Sequence, residues 1–282
     1  MHIVFQQTNA VVALHFSFFF AQLVCMLGMI VMVREGGIMK RTLFLLYGVL
    51  SYAVFFVTFL YLIGFLASAV VPKSIDSGAV MPLPEALVVN LCLLALFGLQ
   101  HTLMARPSFK AQWTKIVPQP IERSTYTLLS SLLLILLYNQ WRAIPDPVWQ
   151  VETPSLRLLL QGLFYAGFLI VLYSSFLIDH FDLFGLRQVF LYWRGKPYAH
   201  HPFRTPGLYK WIRHPLYLGW FLAFWSTPHM SWGHLLFASV LSAYILFAIP
   251  FEERNLLEFL GDEYRAWRAR TPLFLPLPRR RS

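Results

Sequence analysis

The sequence predicts an all-α fold: a polytopic transmembrane helical bundle that ends in a helical hairpin. Two observations carry this reading. Hydrophobic residues fill 57% of 282 positions and charged residues only 13%, and several apolar stretches exceed the roughly 20 residues that cross a bilayer. The basic residues, in turn, are confined to short segments between those stretches.

Taken in order, the apolar runs place helices at 10–33, 42–71, 83–104, 122–143, 156–178, 215–228 and 233–250, each ended by Pro, Gly or charged residues. The first run is too long for a signal peptide, and Met1 to Gln7 has no basic region before it. Met39, followed by Lys40, Arg41 and a strong helix, reads as a natural start. Residues 1–38 are therefore an extra transmembrane helix or a start-site extension, and 39–282 form one membrane domain. The last two runs are short and joined by "TPHMSW" (Thr227 to Trp232), which requires a tight antiparallel hairpin.

Charge sets the orientation. With the segments after Val33, Arg106, Asp179 and Pro250 placed in the cytoplasm, only Lys73, Arg142 and Arg157 of the 23 basic residues lie outside. The net charge of +10 is thereby explained by topology, and a nucleic-acid partner is not expected. The expected setting is a membrane with the C-terminus cytoplasmic, and the terminal "RRRS" suits anionic lipid headgroups as partners. Cys25 and Cys92 both sit inside apolar runs, so neither a disulfide framework nor a metal site is expected.

Chemistry is expected where the hairpin returns to the cytoplasm. In "RHPLYLGW" (Arg213 to Trp220), Pro215 suits the first turn of a helix, leaving Arg213 and His214 just before it. A helix N-terminus beside an arginine can receive a carboxylate or phosphate. Tyr217 follows within the first turn, and Gly219 leaves room for a ring or a second helix. The same residues also read as a snorkelling arginine with interfacial His and Tyr. Glu252 and Glu253, at the exit of the second hairpin helix, are costly there unless paired or used. A pairing with Arg213 or Arg254, or bonds to a ligand's hydroxyl and amino groups, would each account for them. These two stretches together define a cytoplasmic cofactor pocket, with 180–282 as its main source.

"RHPLYLGW", a helical hairpin and then "EERNLLEFLGDEYRAWRARTP" resemble the membrane methyltransferases that include the isoprenylcysteine carboxyl methyltransferases and phospholipid N-methyltransferases. The resemblance implies S-adenosylmethionine (SAM) as cofactor, bound by Arg213, His214, Tyr217, Gly219, Glu252 and Glu253, with Leu256 and Tyr264 in support. A closer resemblance covers most of residues 39–282 through "VPKSIDSG" (71–78), "LQHTLMARPSFK" (99–110), "IERSTY" (121–126), "LIDHFDLFGLRQV" (177–189) and "FWSTPHMSWGHLLFA" (224–238). These stretches are similar to the bacterial methanethiol S-methyltransferases, and imply that a small thiol is methylated to dimethyl sulfide.

Displacement at sulfur needs an in-line thiolate and excluded water. Methanethiol is a weaker acid than a cysteine side chain of pKa about 8.5, so a base or positive field is required. The candidates are Asp179, His180 and Asp182, with Arg187 shortly after, at the cytoplasmic end of one span, and His101 near the same end of another. An Asp–His pair would orient a base, whereas an interfacial histidine or a helix-to-helix hydrogen bond is the plainer reading. Glu122 and Arg123 open the next span and read as an ion pair worth about 0–1 kcal/mol. His200 and His201 read as a solvated loop, and His229 and His234 fall on the opposite side. Other acceptors, a sterol-type NADPH reductase, and a transporter or sensor remain rival readings.

Overall fold

The structure, a computed structural model, describes residues 37–275. The run at 10–33, the extension reading for 1–38, Cys25 and the terminal arginines Arg279 to Arg281 lie outside the described residues. Six principal helices run alternately in opposite directions: α1 (Ile38–Ala67), α2 (Leu83–Ala105), α4 (Gln119–Gln140), α5 (Pro154–Ile178), α8 (Pro215–Trp225) and α9 (Trp232–Leu260). Shorter helices sit at the connections: α3 (Pro107–Trp113), α6 (His180–Leu183), α7 (Leu186–Trp193) and α10 (Asp262–Arg270). Proline occupies the first turn of α2, α3, α4, α5 and α8, where a missing amide donor removes no hydrogen bond.

Helices α1, α2, α5 and α9 are long and apolar enough to cross a membrane. Their outward faces carry exposed Val57, Leu60, Leu158, Leu169 and Phe247, apolar surface that lipid rather than water accommodates. The chain is an all-α polytopic membrane protein. Helix α4 differs because it is the interior helix. Its Ser124, Thr125, Thr127, Ser130 and Ser131 are all buried, and three of these hydroxyls donate to carbonyls one turn back, Thr125 to Ile121, Ser130 to Tyr126 and Ser131 to Thr127. Ser124 and Thr127 reach the carbonyls of Gly185 and Phe184, so the polar stripe binds the 179–193 segment to the bundle.

Helices α5 and α8 make the most extensive helix contact. A Cβ on Gly219 would stand 2.7 Å from the Gly167 carbonyl oxygen, and one on Gly167 only 2.5 Å from the Ala223 amide nitrogen. Small residues allow this close backbone approach, which dispersion rewards in lipid. The principal core cluster lies alongside, built on Phe65, Trp141, Phe168, Ala223, Phe224 and Phe237.

Three features depart from the sequence reading. Helix α9 does not end at Pro250 but runs through it to Leu260, so Glu252 and Glu253 are helical residues rather than exit residues. A proline interior to a helix removes one hydrogen bond, and here the helix accommodates it. The "TPHMSW" stretch also carries a strand, β2 (His229–Ser231), which pairs antiparallel with β1 (Pro147–Gln150). Together with the donation from Trp141 Nε1 to the Ile75 carbonyl and the Asn90 to Arg142 backbone bonds, it caps the end of the bundle away from Arg213. Finally, α8 has 11 residues, about 16 Å of rise, about half of a hydrocarbon core.

Candidate functional site

At the other end of the bundle the hairpin brings its two polar stretches together. Helices α8 and α9 are antiparallel, in register through Trp225 Nε1 donating to Ser242 at 2.9 Å and Tyr217 donating to Glu252 at 2.6 Å. This register sets Glu253, one residue further along α9, against the residues that precede α8. Its carboxylate is buried and accepts three side chains: Arg213 Nη1 at 2.9 Å, His214 Nε2 at 3.2 Å and Arg268 Nε at 2.8 Å. His214 donates through Nε2, and its ring stacks on Tyr217 at 5.3 Å between centroids. The segment after α10 folds back, its Pro272 and Leu273 carbonyls accepting from the amides of Arg213 and His214 at 2.9 and 3.1 Å.

Three sequence stretches, near 213, 253 and 268, thus share one carboxylate. Tyr264 is buried beside them, and burial followed by the charges of Glu253 and Glu252 pushes its hydroxyl up to about 12. Leu256 lies one turn past Glu252 on α9 and is half-buried. The buried Nε of Arg213 has no hydrogen-bond partner among the described residues. Charges are segregated: two guanidiniums converge on Glu253, while Glu252 faces the Tyr217 hydroxyl.

Two expected details change. The amides of Arg213 and His214 are already bonded to the C-terminal segment, so they are not open to a ligand carboxylate. Gly219 lies not at this site but at the α5 crossing, where Gly167 and Val171 leave no room for another group.

The "LIDHFDLFGLRQV" stretch forms a separate network. His180 is 2% exposed; its Nδ1 meets Ser175 at 2.7 Å and its Nε2 meets Tyr52 at 2.9 Å. Ser175 donates to the Leu172 carbonyl, so it accepts from Nδ1, and Nε2 then accepts from Tyr52. Phe176 stacks on the ring at 4.1 Å. Burial lowers the His180 pKa, with Asp179 acting in the opposite direction. His180 makes no hydrogen bond to either aspartate among the described residues; Asp179 meets His201 instead at 2.7 Å, so that histidine is not merely a solvated loop residue. Asp179 also caps α6 through the Asp182 amide. Asp182 accepts from Arg187, Gln188 and Tyr198, and Arg187 also donates to the Ala199 carbonyl.

His101 lies nearer the hairpin. Its ring packs on Phe97 and Tyr126 and meets Tyr244 of α9 edge-on at 6.5 Å. Its Nδ1 is 3.4 Å from the Ser130 hydroxyl, while its Nε2 has no hydrogen-bond partner among the described residues. The expected Glu122–Arg123 pair is not formed, because adjacent residues on a helix point apart. Glu122 approaches Lys110 at 3.8 Å instead, and Arg123 lies within electrostatic reach of His101, Tyr126 and Tyr198. His229 and His234 sit at the far end, as expected, with His234 bonded to the Phe224 carbonyl.

Sequence reasoning did not single out Arg268, Tyr126 or Tyr244. Arg268 follows Tyr264 by one helical turn, the signal that would have placed both on one face of α10. The two tyrosines sit inside apolar runs and carry no such local signal.

Known proteins resemble the chain over most of its length. The family described as NnrU protein matches residues 89–273, which contain all of the site just described except Tyr52. The methanethiol S-methyltransferase of Mycobacterium tuberculosis is 52% identical over 244 residues, covering 86% of this chain and 100% of that protein. Methanethiol S-methyltransferase 2 of Bradyrhizobium diazoefficiens is 53% identical over 84% of this chain and 91% of its own length. Nurim of Rattus norvegicus is more distant, 30% identical over 61% of this chain and 68% of its own length. No solved structure matches. With half of its residues shared across nearly the whole domain, the chain belongs to the NnrU family and, within it, to the methanethiol S-methyltransferases.

Proposed function

We propose that the chain methylates methanethiol to dimethyl sulfide, with S-adenosylmethionine as donor, at the cytoplasmic face of a bacterial inner membrane. The observation that carries the reading is the Glu253 carboxylate, which joins "RHPLYLGW" to "EERN" and to α10. The residues fit the cofactor. Arg213 suits a carboxylate and Glu252 an ammonium or ribose hydroxyl, while Glu253 holds Arg213, His214 and Arg268 in place. His214, Tyr217, Leu256 and Tyr264 wall the same region. When bound, SAM supplies an electrophilic methyl group on a sulfonium.

His101 is the group that takes the thiol proton. Its Nε2 makes no hydrogen bond among the described residues, whereas both ring nitrogens of His180 are engaged. Arg123, in electrostatic reach of His101, supplies a positive field that favours the thiolate and, by the same sign, disfavours a proton held on His101. His180, Asp179, Asp182 and Arg187 act at one remove, holding the 179–201 segment against α1, α4 and α5. The described connections between helices are compact, and such loops suit a small acceptor that enters through the bundle. The positive-inside distribution supports the cytoplasmic placement, and the terminal arginines suit lipid headgroups.

The test uses the full chain in detergent or liposomes, supplied with SAM and methanethiol, with dimethyl sulfide read in the headspace. Product formation is expected. SAM binding without product would refute the acceptor, and calorimetric binding of NADPH but not SAM would refute the class.

A further inference from the structure

A cavity of about 320 Å³ opens between the turn Gly207–Lys210 and the end of α10, lined by Thr205, Lys210, Trp267, Arg270 and Thr271. Its volume lies within the roughly 300–1,000 Å³ of small-ligand sites. Two cations and two hydroxyls line it, and among the described residues no acid does. Lys210 and Arg270 make no ion pair or side-chain hydrogen bond among the described residues, nor do the hydroxyls of Thr205 and Thr271. Thr271 is only 4% exposed, so a nearly buried hydroxyl at the cavity wall is left without a partner. Such a group is costly unless a ligand or water completes it. The other polar groups here are already engaged: Trp267 Nε1 donates to the Tyr209 carbonyl at 3.2 Å, and the Thr271 amide to the Trp267 carbonyl at 3.0 Å.

The charge balance selects an anion. Arg268 is committed to Glu253, and the acids of α10, Asp262 and Glu263, stand in its first turn, about two turns from Arg270. The carbonyl end of α10 contributes about half a negative charge, against two whole positive ones. Position selects among anions. Helix α9 has 29 residues and rises about 43 Å, more than the roughly 30 Å hydrocarbon core, which carries α10 and the cavity to headgroup level. Trp211, next to Lys210 in the chain, is 67% exposed, as interfacial tryptophans are. A lipid with its phosphate in the cavity sets its apolar part beside that ring, whereas a free phosphate makes no use of it.

We propose that Lys210 and Arg270, with the hydroxyls of Thr205 and Thr271, bind the phosphate of an anionic lipid headgroup. Thr271 leads directly into Pro272 and Leu273, whose carbonyls hold the amides of Arg213 and His214 at 2.9 and 3.1 Å. A headgroup held at Thr271 therefore steadies the strap that sets both residues against Glu253. None of the lining residues is assigned to the methyl donor, so the inference stands apart from the reading of SAM as cofactor.

The experiment is native mass spectrometry of the full chain released from detergent, which resolves single bound lipids, with phosphatidylglycerol, phosphate-free diacylglycerol and inorganic phosphate as probes. One phosphatidylglycerol is expected to bind in preference to diacylglycerol and to raise the melting temperature in micelles. Thr271→Val keeps shape and charge but removes the hydroxyl, and is expected to weaken phosphatidylglycerol about tenfold. Lys210→Ala and Arg270→Ala are expected to weaken it about fivefold each, and Lys196→Ala, a cation lost outside the cavity, less than twofold. Native melting without lipid is the folding control; Lys210 and Arg270 are exposed, so their variants carry the test even where Thr271→Val is destabilised. Weakening by Lys196→Ala equal to that by Lys210→Ala and Arg270→Ala, or a natively folded Thr271→Val with full affinity, reduces the cavity to general surface charge and overturns the proposal. Displacement of phosphatidylglycerol by millimolar inorganic phosphate overturns the lipid as its occupant.

Discussion

Glu253→Ala is the most informative single change, because one carboxylate holds three parts of the chain. The magnitude follows from burial. The Glu253 side chain is 5% exposed, Arg213 15%, His214 6% and Arg268 41%. Removing one partner of a buried pair costs about 3–5 kcal/mol, since the other charge stays buried and unpaired. The Arg268 contact is partly solvated and contributes at most about 1 kcal/mol. Glu253→Ala is therefore expected to destabilise the fold by about 3 kcal/mol or more. Arg213→Met in the same background removes the orphaned guanidinium while keeping its stem, so the double variant should recover part of the loss. The coupling energy should fall at about 1–3 kcal/mol. Reversible unfolding in mixed micelles, followed by circular dichroism, measures all four corners of the cycle. A single-variant effect below about 0.5 kcal/mol, or strict additivity of the two changes, would refute a buried shared carboxylate.

His101→Gln is expected to lower the rate of dimethyl sulfide formation at least about 100-fold with SAM binding retained, and His180→Phe to change mainly stability; the reverse pattern would move the base to His180. Gly219→Leu should lower the melting temperature, because its first side-chain atom already stands 2.7 Å from the Gly167 carbonyl and overpacking costs about 1–3 kcal/mol; an unchanged melting temperature would contradict the close α5–α8 crossing. The depressed His180 pKa predicts a pH effect of definite sign. The unfolded chain takes up a proton near the ordinary value of about 6.5, while the folded chain resists it. The stability contribution is thus present above that value and lost as pH falls through the folded pKa. His180→Phe should flatten this part of the melting profile, and an unchanged slope would refute it.

The bundle was legible because hydrophobic runs and proline at helix starts report local physics. So was the convergence of the Arg213 stretch on the Glu252–Glu253 stretch, since a hairpin must return its ends to one side, although sequence left open whether Arg213 or Arg254 pairs with the acids. What sequence could not give was register. Pro250 reads as a stop, but α9 continues through it, and only that continuation aligns Glu252 with Tyr217 and Glu253 with Arg213. Local pattern also misassigned partners. Asp179 and His180 are neighbours, yet the N-cap geometry turns Asp179 toward His201 and leaves His180 between Ser175 and Tyr52. Gly219 was correctly read as a point of close approach, but whether a helix or a ligand fills such a space is decided by packing, and here Gly167 fills it.

The arrangement of charge explains why the site is split across the chain. Arg213 and Arg268 face Glu253, and Glu252 completes the balance on the Tyr217 side, so the four formal charges cancel while remaining segregated. A single helix cannot present this pattern, because side chains three or four residues apart share a face and would neutralise one another locally. Drawing the cations from the start of α8 and from α10, and both acids from α9, leaves two guanidiniums on Glu253 and the Glu252 carboxylate on the Tyr217 hydroxyl. The separation is costly near a membrane unless something polar completes it. The proposed donor suits that requirement, with its carboxylate toward Arg213 and its ammonium toward Glu252. A neutral lipid or a purely anionic ligand satisfies only one part of it.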